Sequence, residues 1–200
     1  MAAALGSALT LPTLLLHGCA LVSAPAAEPK KEVLSKLPPE LPPHKPAAAT
    51  LLVMEPDIEP AFDTTQIAYT SEPYQVAYFS RHEWAQTPSR MLQTLLVQTL
   101  QATRRFSAVL TPPHVGRTTH TLRTQVIELI QDFRTTPPTV RLALRVRLSD
   151  DAANRLIAQR DISLSEPMAH RNPEAGVVAA NEAAAKALQE IARFVLEHAA

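Results

Sequence analysis

Apolar and polar positions alternate most cleanly between residues 140 and 148. Val140, Leu142, Leu144, Val146 and Leu148 are separated there by Arg141, Ala143, Arg145 and Arg147. Successive side chains of a strand leave opposite faces, so a period of two predicts a half-buried strand with its arginines on the wet side. Thr121–Phe133 alternates over a longer stretch, and a shift of phase near Ile127-Glu128 predicts a bulge. Asp150-Asp151-Ala152-Ala153-Asn154 reads as a turn, after which Arg155–Leu164 returns antiparallel. Leu51–Met54, Thr65–Tyr69, Tyr74–Phe79 and Phe106–Leu110 read as shorter strands, punctuated by Pro56, Pro60, Pro73 and Pro112-Pro113.

The period lengthens in two places. Met91, Leu92, Leu95, Leu96, Thr99 and Leu100 form one stripe, with Arg90, Gln93, Gln98, Gln101 and Arg104 on the other side. Thr87 as N-cap and Pro88 at the first helical position start that helix, which runs to about Arg105. Arg81-His82-Glu83-Trp84 falls between it and the preceding strand and reads as a short turn. A second helix starts at Asn172-Pro173 and carries Val177, Ala180, Ala184, Leu188, Ile191 and Val195 on one face to the C-terminus. The order of elements predicts an α+β fold: an antiparallel or mixed sheet with two long helices packed on one face. The folded domain is expected over residues 51–200.

Proline changes the picture upstream of that domain. Seven prolines lie between Ala20 and Ala49, with Lys30, Lys31, Lys36 and Lys45 among them. So little apolar surface does not offset the entropy of ordering the chain, which predicts a tether outside the core. Extended at about 3.1 Å per residue, such a tether would reach roughly 90 Å.

Ahead of it, Leu9–Leu16 is almost wholly apolar, too short for a membrane span but suited to the core of a signal peptide. It ends in Leu16-His17-Gly18-Cys19, which resembles the bacterial lipobox. That motif directs acylation of the cysteine sulfur and cleavage before it, so residues 1–18 are read as signal peptide, Cys19 as the lipid-attachment site and 19–50 as the tether. His17 and the lack of any Lys or Arg before Lys30 depart from the usual pattern. Ala20 after the cysteine implies, by the bacterial sorting rule, delivery to the outer membrane with the domain on its periplasmic face.

Charge and chemistry mostly exclude. Nineteen basic residues balance nineteen acidic ones, which offers no electrostatic reason to bind nucleic acid. The seven histidines are scattered and Cys19 is the one cysteine, so neither a disulfide nor a zinc site is expected, and no cofactor motif is present. No nucleophile elbow or phosphate loop points to an enzyme. Candidate partner-binding residues are the row Arg141, Arg145 and Arg147, and Trp84. The alternatives are a solvated face for the arginines and a core-closing role for the tryptophan.

From Tyr69 onward the chain resembles the ABC-type transport auxiliary lipoproteins. The residues that carry the likeness are Ile67-Ala68-Tyr69, the run Tyr78–Leu92 around Trp84, Arg105-Phe106-Ser107-Ala108-Val109, the strand ending Asp132-Phe133, Val140–Leu148, and Ala175–Asn181. The resemblance implies a non-enzymatic, outer-membrane-anchored subunit that docks on an MCE-domain periplasmic protein. Through that protein it would serve an ABC ATPase and permease in envelope lipid transport, of the paraquat-inducible type. Two other readings stay open: a carrier that itself binds lipid, and an assembly lipoprotein of another envelope machine.

Overall fold

The computed structural model describes residues 28–39, 41 and 44–199; the Leu16–Cys19 junction lies outside them. Its spine is β7 (His120–Asp132), 13 residues long. Along one edge β7 pairs antiparallel with β8 (Thr139–Asp150), which pairs in turn with β9 (Arg155–Pro167). The predicted bulge falls between Val126 and Glu128, and the ladder resumes one residue out of phase. Along its other edge β7 meets three short strands end to end, all parallel: β2 (Thr50–Val53), β3 (Asp57–Ile58) and β4 (Gln66–Thr70). Pro56 and Pro60 lack the N–H a ladder needs and flank β3.

Beyond these lie β6 (Ala108–Leu110) on β2, and β5 (Ala77–Trp84) antiparallel on β4. Among the described residues nine strands make one open, mixed sheet, and two helices complete an α+β fold. Helix α1 (Pro88–Ala102) lies over β2 and β6; α2 (Pro173–His198) lies across β8 and β9; the helices touch each other. The stripe read from the sequence is the buried face of α1, namely Met91, Leu92, Leu95, Leu96, Thr99 and Leu100. The alternation in β8 buries Val140, Leu142, Leu144, Val146 and Leu148 against the helices. Thr87 holds the N-cap position of α1 without a capping bond, whereas Asn172 Oδ1 accepts from Ala175 N–H at 2.8 Å and caps α2.

Two expectations need correction. The first is the turn at Arg81–Trp84, which is the second half of β5. It is held by a strand that composition concealed: β1 (Lys30–Glu32) runs parallel to β5 with Lys30 opposite His82 and Glu32 opposite Trp84. The beginning of β5 also moves, from Tyr74 to Ala77. Tyr74 has φ 64°, a left-handed turn conformation that no strand continues through.

The second is the tether. From Lys30 onward the described residues of the Pro-rich stretch, 30–39, 41 and 44–49, are part of the domain, an arm laid along the two helices. Leu34 is buried beside Met91, its N–H 3.3 Å from the Met91 sulfur. Asn181 in α2 then grips the arm's backbone. Its Oδ1 accepts from Ser35 and Lys36 N–H at 2.8 and 3.1 Å, and its Nδ2 donates to the Val33 carbonyl at 2.9 Å. Lys36 pairs with Glu182, and Leu41 packs on the core. Farther along, His44 and Ala47 N–H donate to the Thr103 and Arg105 carbonyls at 3.0 and 2.8 Å. The Arg105 guanidinium closes this end, donating to the carbonyls of Lys45 and Ala199. The arm therefore runs from the start of α1 to the ends of both helices. Its prolines do not prevent this, because its hydrogen bonds go to partners on other elements instead of a continuous ladder.

Candidate interaction surface

Among the described residues, the helices and the arm cover one face of the sheet and leave the other open. β8 sends Arg141, Arg145 and Arg147 to the open face. In register beside them, β7 contributes Arg123 opposite Arg147 and Gln125 opposite Arg145, while β9 contributes Asp161 opposite Arg145 and Gln159 opposite Arg147. The surface is thus a polar mosaic with a basic excess at its centre, where Asp57 of β3 approaches the same group.

The three arginines are not equivalent. Arg141 is committed inside the molecule: it donates to both carboxylate oxygens of Glu128, at 3.1 and 2.5 Å, and to Asp132. The Asp132 side chain is only 3% exposed. It also takes a bidentate pair from Arg134, 2.9 Å from Nε and 2.7 Å from Nη2, together with the Arg134 N–H at 2.9 Å. The Arg134 guanidinium, more than any other group, holds the Asp132 carboxyl below the usual carboxylate range against the opposing effect of burial. Arg145 makes a similar but exposed fork with Asp161, at 2.8 and 2.9 Å, and lowers that carboxyl in turn. Arg147 donates to the neutral Gln159 at 2.8 Å, acts on Asp161 through charge alone, and stays exposed. Arg145, Arg147 and the unforeseen Arg123 are the cations this face offers. Arg123 was legible in principle, since it occupies the polar phase of β7 and the β7–β8 hairpin brings it beside Arg147.

Trp84 is withdrawn from the candidates. It is 3% exposed and joins the core cluster, closing the end of β5 against the helices. A large aromatic gains far more by burial than by solvent exposure, and the turn that would have displayed it is strand. His82, one residue pair back, lies between Glu32 (3.2 Å) and Glu174 (3.6 Å), part of the strapping that joins β1, β5 and the start of α2. Lys30 completes that strapping with Glu174 at 3.0 Å and Lys31 with Glu83 at 2.6 Å.

Asp132 gives a pH test. Its folded pKa lies below its unfolded value of about 3.9, so its contribution is fully present above that value and is lost as pH falls through the folded pKa. Asp132→Asn should lower the denaturation midpoint at pH 7. The gap from the parent chain should begin to narrow below about pH 4 and close only as pH falls through the lowered folded pKa, beneath which both chains carry a neutral group at this position.

Among the described residues, sheet and helices pack closely: Leu51, Ile67, Leu96, Leu100, Leu142, Leu144, Leu188, Ile191 and Phe194 are almost wholly buried there. Concavities lie at the surface. One of about 320 Å³ is mainly apolar, between the loop before α2 and the first turns of that helix, and is lined by Pro167, Ala169, Ala175, Val178 and Ala179. Another, of about 560 Å³, follows the arm beside Met91 and Leu95.

Residues 33–192 match the family described as "ABC-type transport auxiliary lipoprotein component". The chain belongs to that family. It is a lipoprotein family of auxiliary transport components, and its match begins inside the arm, so the arm is part of the family's domain. No curated protein matches the chain in sequence. Two solved structures share the fold. Protein XCC0632 from Xanthomonas campestris, of the family DUF330, superposes with a TM-score of 0.76 at 20% identity, over 86% of this chain and 97% of its own. An uncharacterized protein gives 0.66 at 16% identity, over 83% of this chain and 99% of its own. Among the described residues no helix is long and apolar enough to cross a membrane.

Proposed function

We propose that this auxiliary lipoprotein is acylated at Cys19, sits on the periplasmic face of the outer membrane, and acts without catalysis as the docking subunit of an MCE-type envelope lipid transport system. The observation that supports docking is the uncovered sheet face, where Arg123, Arg145 and Arg147 remain on a polar mosaic while the opposite face is sealed by α1, α2 and the arm. Cations on such a rim chiefly orient a partner and raise its on-rate. The outer edge of β9 adds a second way to bind: among the described residues it has no strand neighbour, and a partner strand can pair with such an edge. The filled interior favours this reading over that of a carrier enclosing lipid.

The test uses the full, membrane-anchored chain with both arginines reversed, Arg145→Glu and Arg147→Glu. Capture of the MCE-domain protein, and through it of the ATPase and permease, should fall well below that of the parent chain. Both residues are at the surface, so the thermal midpoint should stay nearly unchanged. Undiminished capture by a folded, anchored variant would move the interface to another surface. Anchoring is checked separately: Cys19→Ser should release the domain from the membrane fraction, and mass spectrometry of the parent should find Cys19 acylated at the new N-terminus.

A further inference from the structure

Three connections converge at one pole of the domain. The pairings of Thr70 with Asp132, Thr139 with Asp132, and Thr139 with Pro167 bring the β4–β5 hairpin tip, the β7–β8 turn and the loop before α2 to the same end of the sheet. The tip carries an unexplained apolar display. Tyr74 is fully exposed (105%) and Val76 nearly half exposed (45%), and neither belongs to the core cluster. Tyr74 is also held in the left-handed conformation that bulky residues avoid, which projects its ring away from the sheet at the cost of backbone strain. Around it, on the two neighbouring loops, lie Arg134, paired with Asp132, and Arg171, which donates to the Phe133 carbonyl, with Glu72 as the acidic residue of the tip.

The path of the chain decides what meets this tip. Because β1 runs parallel to β5 with Lys30 opposite His82, the chain reaches the domain from the side on which β5 begins, the side of the tip. Glu28, two positions before Lys30, lies about level with Ser80, and Tyr74 is six residues farther, at most roughly 20 Å because the strand itself begins only at Ala77. Only nine positions separate Glu28 from Cys19, and nine residues span at most about 30 Å however they run. With this pole turned to the bilayer, a lipid on Cys19 therefore leaves the tip about 10–30 Å of slack, in contrast to the roughly 90 Å that a tether ending at residue 50 would permit.

We infer that the β4–β5 tip is a second membrane contact, with the Tyr74 ring and Val76 seated among the headgroups of the phospholipid bilayer that holds the anchor. This rests on acylation of Cys19. Tyrosine suits that depth, its ring apolar and its hydroxyl wet. A short anchor plus an inserted tip binds the domain at two points and sets its orientation. The open sheet face then stands along the membrane normal, and the opposite pole, where Val115 is exposed, points into the periplasm.

The experiment uses the full acylated chain. Its Cys19 sulfur carries lipid and takes no label, so one new thiol reports alone. Tyr74→Cys, Val76→Cys and Val115→Cys are each coupled to an environment-sensitive fluorophore and reconstituted into phosphatidylethanolamine–phosphatidylglycerol vesicles, with or without headgroup-proximal spin-labelled lipid. At positions 74 and 76 the emission should shift to the blue and be largely lost to the spin label, while at 115 it should stay that of a wet probe. Dry spectra at 74 and 76 without quenching would mean that a second copy covers the tip, and would overturn the membrane contact. Wet spectra at both, on protein that floats with the vesicles, would overturn it while leaving the anchor intact. Protein that fails to float would overturn the acylation reading, and the contact with it.

Discussion

A chain that begins at Thr50 is expected to be far less stable than one that begins at Glu28, and to aggregate. The sequence alone places residues 20–49 outside the core, in which case the two chains would unfold at the same denaturant concentration. The structure puts Leu34 in the core at 5% exposure, lays Leu41 over it, and bonds the arm to Asn181, Thr103 and Arg105. Loss of the Leu34 side chain alone corresponds to about 2–5 kcal/mol if its site does not collapse. Three bonds between Asn181 and the arm add about 1 kcal/mol each; without the arm Nδ2 keeps its bond to the Val177 carbonyl, while Oδ1 loses both of its donors. Loss of β1 also bares the edge of β5 from His82 to Trp84, an invitation to pair with another chain. Asn181→Ala isolates the clamp from the rest. It should free the arm to proteolysis near Ser35 and lower the midpoint by a fraction of the effect of deletion. Equal midpoints for the chains beginning at residues 28 and 50 would show that the arm is a passenger.

Leu96→Ala should cost roughly 2–5 kcal/mol in chemical denaturation. Leu96 lies at the centre of the buried stripe of α1, 2% exposed, with Leu92, Leu95 and Leu100 beside it. Truncation there leaves a cavity between α1 and the sheet, because neighbours fixed on β2 and β6 relax only in part. Gln98, on the other side of the same helix and at the same level, serves as the control, and Gln98→Ala should change stability by less than about 0.5 kcal/mol. If the two substitutions behaved alike, the helix would be rotated about its axis.

The arginine row and the tryptophan show how far a candidate site is readable from a chain. Alternation in β8 placed Arg141, Arg145 and Arg147 on one face, and they are there. It could not separate them, because their partners come from other strands: Glu128 and Asp132 from β7, Asp161 and Gln159 from β9. A bulge shifts the register between β7 and β8 by one residue, and with it which carboxylate meets which guanidinium. Trp84 failed as a surface candidate for a related reason. Whether a residue next to a helix start is wet depends on what lies over it, and β1 lies over the edge of its strand.

What the sequence determined is what a repeat of two or of 3.6 can encode: the strands β7, β8 and β9, the bulge, the buried stripe of α1, the start of α2 at Asn172-Pro173, and hence the α+β class. These are properties of neighbours along the chain, whose side chains must share a face to be buried together. Tertiary structure alone decided the rest: three short strands laid end to end along β7, an arm of Pro-rich chain made part of the domain by Asn181 and Arg105, and the pole at which the chain arrives. Each depends on hydrogen bonds and burial between residues tens of positions apart or more. No local period records such contacts, because either partner by itself looks like an ordinary polar residue in a loop.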